Sequence, residues 1–282
     1  MGRSVAIIGL GRIGRMLAKL LLTQAGVSEQ RHYSRSARPG FSEELRQANR
    51  HGQRLVAMES PADLGRASHV FLSFAFDFTS LVHHKQVDDE WAIEMQGNLP
   101  LLRAMLPGWA DLSGRTFIVY TNPVDVVCTL LARALPAGNA VFGFGSSLDS
   151  LRLRCLVDPA GMMLGEHGIS MVPVGLDADR TGLMAARRAV VESVRRVTIH
   201  QGYTLLAPEL ASAELLDALC GHAPALLPLS APSAELGLHL GQPCQVAAWG
   251  ITPRPFSLGP AETALWQESV QKIRNDLELA DL

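Results

Sequence analysis

Apolar and polar positions follow two rhythms along the chain. In the first half, short apolar runs ("SVAIIGL" at 4–10, "RLVAME" at 54–59, "HVFLSFAF" at 69–76 and "RTFIVYTNP" at 115–123) alternate with stretches of helical spacing, "RIGRMLAKLLLTQ" at 12–24 and "NLPLLRAMLPGW" at 98–109. Strand-length apolar runs separated by helices predict βαβ units and a parallel sheet. From about Ser146 the texture changes. A helix-like "SSLDSLRLRCLV" precedes a possible strand pair, "GMMLGEHG" and "ISMVPVG", and then a long helical stretch from Arg180 to Gly202. The tail from Ala261 carries Leu265 or Trp266, then Val270, Ile273 and Leu277 at helical spacing, which predicts an amphipathic helix packed on the body. "APALLPLSAPSAELG" at 223–237 reads as a loop or irregular strand. The expected organisation is α/β, with residues 1–144 forming a doubly wound domain and 145–282 an α+β domain.

Composition narrows the class. A chain of 282 residues with 25 Lys+Arg against 27 Asp+Glu has no basic stripe to attract nucleic acid or an anionic membrane. No window approaches a membrane-spanning apolar run, and Met1 leads directly into a strand pattern without a signal-like segment. A soluble cytoplasmic protein with small-molecule partners is the expectation. Cys128, Cys155, Cys220 and Cys244 are far apart and lack metal-ligand spacing, so they read as reduced core residues of an intracellular protein and no metal is expected.

"VAIIGLGRIGRML" places Gly9, Gly11 and Gly14 in a G-x-G-x-x-G pattern, directly after an apolar strand and directly before a helix. The first glycine permits a tight turn, the second lets backbone approach a pyrophosphate, and the third lets helix and strand pack closely. Together with Arg12 and Ile13, these glycines are candidate dinucleotide contacts in a Rossmann fold. An acidic residue at the end of the second strand would hold a ribose 2′-hydroxyl. That region instead reads "HYSRSARPG", with Ser34, Arg35, Ser36 and Arg38 and no carboxylate. Cations and hydroxyls suit a 2′-phosphate, which favours NADP(H) over NAD(H), although an ordinary solvated basic loop has the same composition.

Three further stretches each have an ordinary explanation. "TNPVDV" is a strand end turning into a helix with Asn122 as cap and Pro123 at the first helical position. In "LDSLR", Asp149 and Arg152 stand three apart, the spacing of a surface ion pair, and His167 in "GEHG" suits a histidine satisfied by backbone. In this order after the glycine motif, however, they resemble the L-lactate/L-malate dehydrogenase family of 2-hydroxy acid dehydrogenases. "QGYTLLAPELASAELLDAL" and "LGQPCQVAAWGI" resemble later segments of the same family.

The resemblance implies a Rossmann domain followed by an α+β catalytic domain, and a homodimer or homotetramer. It implies His167 as the acid/base, Asp149 as its partner, Arg152 as the clamp on a substrate carboxylate, Asn122 beside the carbonyl and cofactor, and Thr204 facing the substrate. Imidazole titrates near neutrality and can deliver a proton to the alkoxide that hydride addition creates. A neighbouring carboxylate favours the imidazolium, and a guanidinium grips a carboxylate with two prongs as Lys does not. Glu166 has no assigned role.

The chain also departs from the family. Its members carry arginines in a mobile loop after the fourth strand, whereas residues 75–97 here contain none. Only His83, His84 and Lys85 are cationic there, beside the acidic Asp88, Asp89 and Glu90. Lys85 and His84 are therefore candidate substrate contacts, and neither malate nor lactate is the expected substrate. A missing carbonyl-polarising donor costs about 3 kcal/mol in comparable sites. A C=N substrate such as a cyclic imino acid would need no such donor, because a protonated iminium carries its own positive charge. The family's GEHGD reads "GEHGIS", with Ile169 replacing the acid. Two other readings stay open: a D-2-hydroxy or β-hydroxy acid dehydrogenase, in which TNPVD and GEHG have no place, and a cofactor-binding sensor or partner subunit without turnover.

Overall fold

The structure is a computed structural model that describes residues 2–36, 39–76 and 90–281. The chain divides into two compact units, residues 1–142 with 280–282, and residues 143–279.

In the first unit, strands β1 (Arg3–Ile8), β2 (Val27–Tyr33), β3 (Arg54–Ala57), β4 (His69–Leu72), β5 (Thr116–Val119) and β6 (Ala140–Gly143) stand in the order 3-2-1-4-5-6. β1 pairs in parallel with both β2 and β4, and the ladder continues in parallel to β3 on one side and β5 on the other. The order reverses between β1 and β4, and the carboxyl ends of strands at such a reversal are where nucleotides bind. Helices α1 (Arg12–Leu22), α2 (Pro39–Ala48), α3 (Glu90–Met105) and α4 (Val124–Ala134) connect the strands. Val5 to Ile8, Val70 to Leu72 and Phe117 to Val119 are fully buried, so the central strands are covered on both faces, as a parallel sheet requires.

β2 forms although "VSEQRHY" is poor in strand formers. Its buried Gln30 donates to the Ala18 carbonyl at 3.3 Å and to Gln53 Oε1 at 2.7 Å, and Gln53 in turn donates to the Leu21 carbonyl at 2.8 Å near the end of α1. Polar groups satisfied inside the protein lose little by burial, so tertiary contacts override local propensity here.

The second unit contains α5 (Gly145–Leu156), the antiparallel pair β7 (Met162–Leu164) and β8 (Val172–Val174), α6 (Arg180–Gln201), α7 (Leu206–Leu219), the antiparallel strands β9 (Ala225–Ser233), β10 (Leu238–Ala247) and β11 (Gly250–Pro253), and α8 (Pro260–Asp281). Asp179 caps α6 by accepting from Gly182 N at 2.9 Å, and Gly202 ends it in the left-handed region at φ 77°. Leu153, Met163, Met171, Ala186 and Val190 form one core cluster, and Val172, Leu183 and Leu265 another. Leu265 rather than Trp266 is thus the buried residue that starts the apolar face of α8.

The stretch 223–237 departs from the expected loop, because nine of its residues form the regular strand β9. Pro228 faces Pro243 across the ladder, so neither side presents an N–H there that the partner fails to match. Among the described residues, no helix is long and apolar enough to cross a membrane. No group of three His, Cys, Asp or Glu among them could hold a metal ion.

Candidate active site

The glycine turn lies between β1 and α1. Gly9 adopts φ +101°, and a Cβ there would come within 2.6 Å of Phe74 main chain. A Cβ on Gly14 would lie 1.8 Å from the Gly9 carbonyl oxygen, so α1 can approach the end of β1 this closely only with glycine at 14. Gly11 differs, because a Cβ on it would meet no atom within 4 Å. It begins α1 without a side-chain cap, and the first turn carries no acidic residue. A helix start without a side-chain cap, with open space in front of Gly11, fits an anionic pyrophosphate. The Arg12 side chain is exposed beside this space and Ile13 is half-buried.

The register of β2 is now fixed: Gly9 N donates to the Tyr33 carbonyl at 2.9 Å, placing the end of β2 beside the glycine turn. Ser34, half-buried, and Arg35 and Ser36, exposed, follow immediately. Glu29, the acidic residue of this strand, sits toward its other end, bonded to Ser4 at 2.8 Å and paired with Arg31 and Arg54.

Beyond the ends of β4 and β5, Asn98 is buried and accepts from Phe76 N at 2.7 Å while donating to the Asn122 carbonyl at 2.8 Å. It ties the residue before the undescribed segment 77–89 to the start of α4. Asn122 is half-buried, and the helix begins at Val124 with Pro123 as its extended cap residue, one position later than the sequence pattern implies. Asn98 accounts for the offset, since it holds Asn122 outside the helix. His84 and Lys85 lie outside the described residues.

In the second unit, α5 carries Asp149 and Arg152 one turn apart, and the segment after β7 carries His167. The Asp149 carboxylate, 1% exposed, is shared: Oδ2 lies 2.5 Å from His167 Nδ1, and Oδ1 accepts from Arg152 Nη1 at 3.2 Å. An ionised carboxylate can only accept, so the imidazole donates from Nδ1. Arg152 Nη2 reaches Thr204 Oγ1 at 3.5 Å, in the connection between α6 and α7. Burial pushes the Arg152 guanidinium down from its ordinary value and Asp149 draws it back up.

Sequence reasoning missed two supports of this cluster. A Cβ on Gly145 would fall 2.2 Å from His167 Cγ, so the ring packs directly on the start of α5. Glu166, left without a role, is buried and accepts from Ser170 N at 2.8 Å and Ser170 Oγ at 2.7 Å. The only sequence signals were a glycine at the start of the helix that carries Asp149 and a carboxylate inside a buried segment. Of the four cysteines expected in the core, Cys155 is instead exposed, while burial pushes Cys220 and Cys244 up to about 12, where neither forms a useful thiolate.

Solved structures cover almost the whole chain. Malate dehydrogenase from Archaeoglobus fulgidus in complex with NADH superposes with a TM-score of 0.82 at 20% identity, over 99% of this chain and 100% of that one. Lactate dehydrogenase from Cryptosporidium parvum, complexed with lactic acid and nicotinamide adenine dinucleotide, gives 0.81 at 19% identity, over 100% and 98%. The chain has the lactate/malate dehydrogenase fold. In sequence it resembles lactate and malate dehydrogenases over part of its length. The L-lactate dehydrogenase A chain of Ambystoma mexicanum is 30% identical over 193 residues, 56% of this chain and 58% of that protein. Malate dehydrogenase of Trichormus variabilis is 27% identical over 57% of this chain and 59% of its own. The chain therefore spans less than two thirds of the length of these curated relatives in matched sequence. No family model matches it.

Proposed function

We propose that the protein is a nicotinamide-dependent oxidoreductase of lactate/malate dehydrogenase type that reduces the C2 carbonyl of a 2-oxo acid. The observation that carries the proposal is the shared Asp149 carboxylate, one oxygen on His167 and the other on Arg152, in a buried setting. Such an arrangement presents a proton donor and a carboxylate clamp side by side.

When bound, the cofactor supplies the hydride. His167 holds the proton on Nε2 and delivers it to the oxygen that becomes the alkoxide, while Asp149 pins Nδ1–H and so orients the ring. Arg152 holds the substrate carboxylate by paired N–H donors, with Thr204 beside it, and Asn122 gives a polar contact to the carbonyl or cofactor. Gly9, Gly11, Arg12, Ile13 and Gly14 receive the pyrophosphate. Ser34, Arg35 and Ser36, with no carboxylate among them, support NADP(H) as the preferred cofactor, NAD(H) being the one bound in the similar structures. Lys85 and His84 are the proposed contacts to the far end of the substrate, and the lack of any arginine from 75 to 97, beside the acidic Asp88, Asp89 and Glu90, argues against malate and lactate. We further propose a homodimer or homotetramer acting on a small molecule in the cytoplasm.

A second reading has its own observation. With no arginine from 75 to 97, nothing there matches the family's carbonyl-polarising group, and a protonated C=N substrate beside a carboxylate would need none. Consumption of NADPH and NADH, measured in parallel over 2-oxo acids and cyclic imino acids of graded size and charge, separates the readings. Turnover of oxo acids supports the first, turnover of imino acids alone supports the second, and silence despite tight cofactor binding overturns both in favour of a sensor.

A further inference from the structure

Asp149 holds the Nδ1 end of the His167 ring. The main chain that carries the ring needs its own restraint, because residues 165–168 are two glycines flanking Glu166 and His167. Three contacts supply it. Gly165 exchanges backbone hydrogen bonds with Gly241, at 2.8 and 2.7 Å. Glu166 N donates to Ser269 Oγ on α8 at 2.5 Å. The Glu166 side chain accepts both Ser170 donors through Oε2, closing a return with His167 inside it. This carboxyl is buried away from solvent. Burial pushes it up from the ordinary carboxylate range, while the Ser170 donors, Lys272 and His167 draw it down. Charged or neutral, its oxygen accepts the same two bonds.

We propose that Glu166 is a positioning residue for His167: by tying residue 166 to residue 170 inside the protein, it fixes the main chain bearing the imidazole and keeps Nδ1 on Asp149. The proposal rests on the dehydrogenase reading for its kinetic arm alone. Glu166→Ala removes the acceptor and leaves the Ser170 N–H unpaired, whereas the Glu166→Gln carbonyl oxygen still accepts both bonds. Misplacement of a reacting group by about 1 Å costs on the order of 100-fold in rate. The expected result is therefore a kcat for Glu166→Ala lower by roughly 10- to 100-fold, with KM and cofactor Kd little changed, and recovery of most of that loss in Glu166→Gln. Equal kcat in the two variants, or a loss confined to KM, overturns the proposal.

A second arm needs no turnover. Nitrogen-15 shifts of the imidazole, assigned by their absence in His167→Asn, report which ring nitrogen carries the proton. At a pH high enough for the ring to have lost its second proton, the wild type and Glu166→Gln should keep the remaining one on Nδ1, and Glu166→Ala should show a mixture of tautomers. Identical shifts in Glu166→Ala and wild type overturn the proposal, whatever the kinetics. If the wild type turns over no substrate, the dehydrogenase reading fails and the nitrogen shifts alone decide the role of Glu166. Should Glu166→Ala not fold, Ser170→Ala removes one of the two donors and is expected to move the shifts in the same direction; unchanged shifts there overturn the proposal equally.

Discussion

Asp149 carries two assignments on one carboxylate, and the consequences can be separated by substitution. Removing the fork from Arg152 while keeping its charge isolates substrate capture. Arg152→Lys keeps a cation near Asp149 but cannot present two parallel N–H donors to a substrate carboxylate. Hydrogen bonds to charged groups contribute about 1.5–3 kcal/mol each, so KM should rise by roughly 10- to 100-fold while cofactor affinity holds. Steady-state kinetics with a turned-over acid checks this, and an unchanged KM would remove Arg152 from the binding role. At this scale the sequence was partly readable. Asp149, Arg152 and His167 stand in recognisable short stretches, and the structure brings them together. Gly145 and Glu166 were not readable as supports, because what makes them matter is a ring 22 positions along the chain in one case and burial against Ser170 in the other.

The β1–α1 turn contains two glycines whose reasons for being glycine differ, and this gives a paired prediction. Gly14 is structural, since a Cβ there would sit 1.8 Å from the Gly9 carbonyl oxygen, and overpacking of this kind costs about 1–3 kcal/mol or more. Gly11 faces open space. Gly14→Ala should therefore lower the melting temperature and the cofactor affinity together, whereas Gly11→Ala should leave the melting temperature unchanged and weaken only the cofactor. Calorimetry and fluorescence titration of reduced cofactor check both, and a Gly11→Ala protein that binds normally would place the pyrophosphate elsewhere. Element by element, the alternation of apolar runs with helical stretches read correctly because burial of a parallel sheet writes a strong pattern. β2 and β9 were the weak points. In β2, Gln30 and His32 look like loop residues until Gln53 and the end of α1 are seen to satisfy Gln30, and in β9 the prolines looked like strand breakers until Pro243 was found opposite Pro228.

Over the whole molecule, the charge balance is near zero and offers little electrostatic direction, so stability against pH depends on individual buried groups. His32 is one of them. Burial pushes its imidazole down to about 4 from an ordinary 6.5, and since Gln30 Oε1 can only accept, the neutral ring donates to it from Nε2, 3.1 Å away. The unfolded chain binds this proton more readily than the folded one, so stability is complete above pH 6.5 and is lost as pH falls toward 4. At 1.36 kcal/mol per pH unit the loss from this group reaches about 3 kcal/mol. Urea unfolding of the wild type and of His32→Gln at several pH values between 4 and 7 checks this. The two stabilities should approach each other on acidification, with the variant losing less, and parallel curves would show that His32 is not the titrating group.

The central claim is that His167 delivers the proton in a hydride transfer, and a single-turnover measurement tests it most directly. Reduced cofactor would be mixed with excess acid substrate, and its oxidation followed in the wild type and in His167→Asn, with cofactor affinity determined separately for both. General acid catalysis contributes about 10²- to 10⁴-fold, so His167→Asn should bind cofactor as the wild type does and oxidise it slower by roughly that factor. Oxidation at an unchanged rate in His167→Asn would contradict the account.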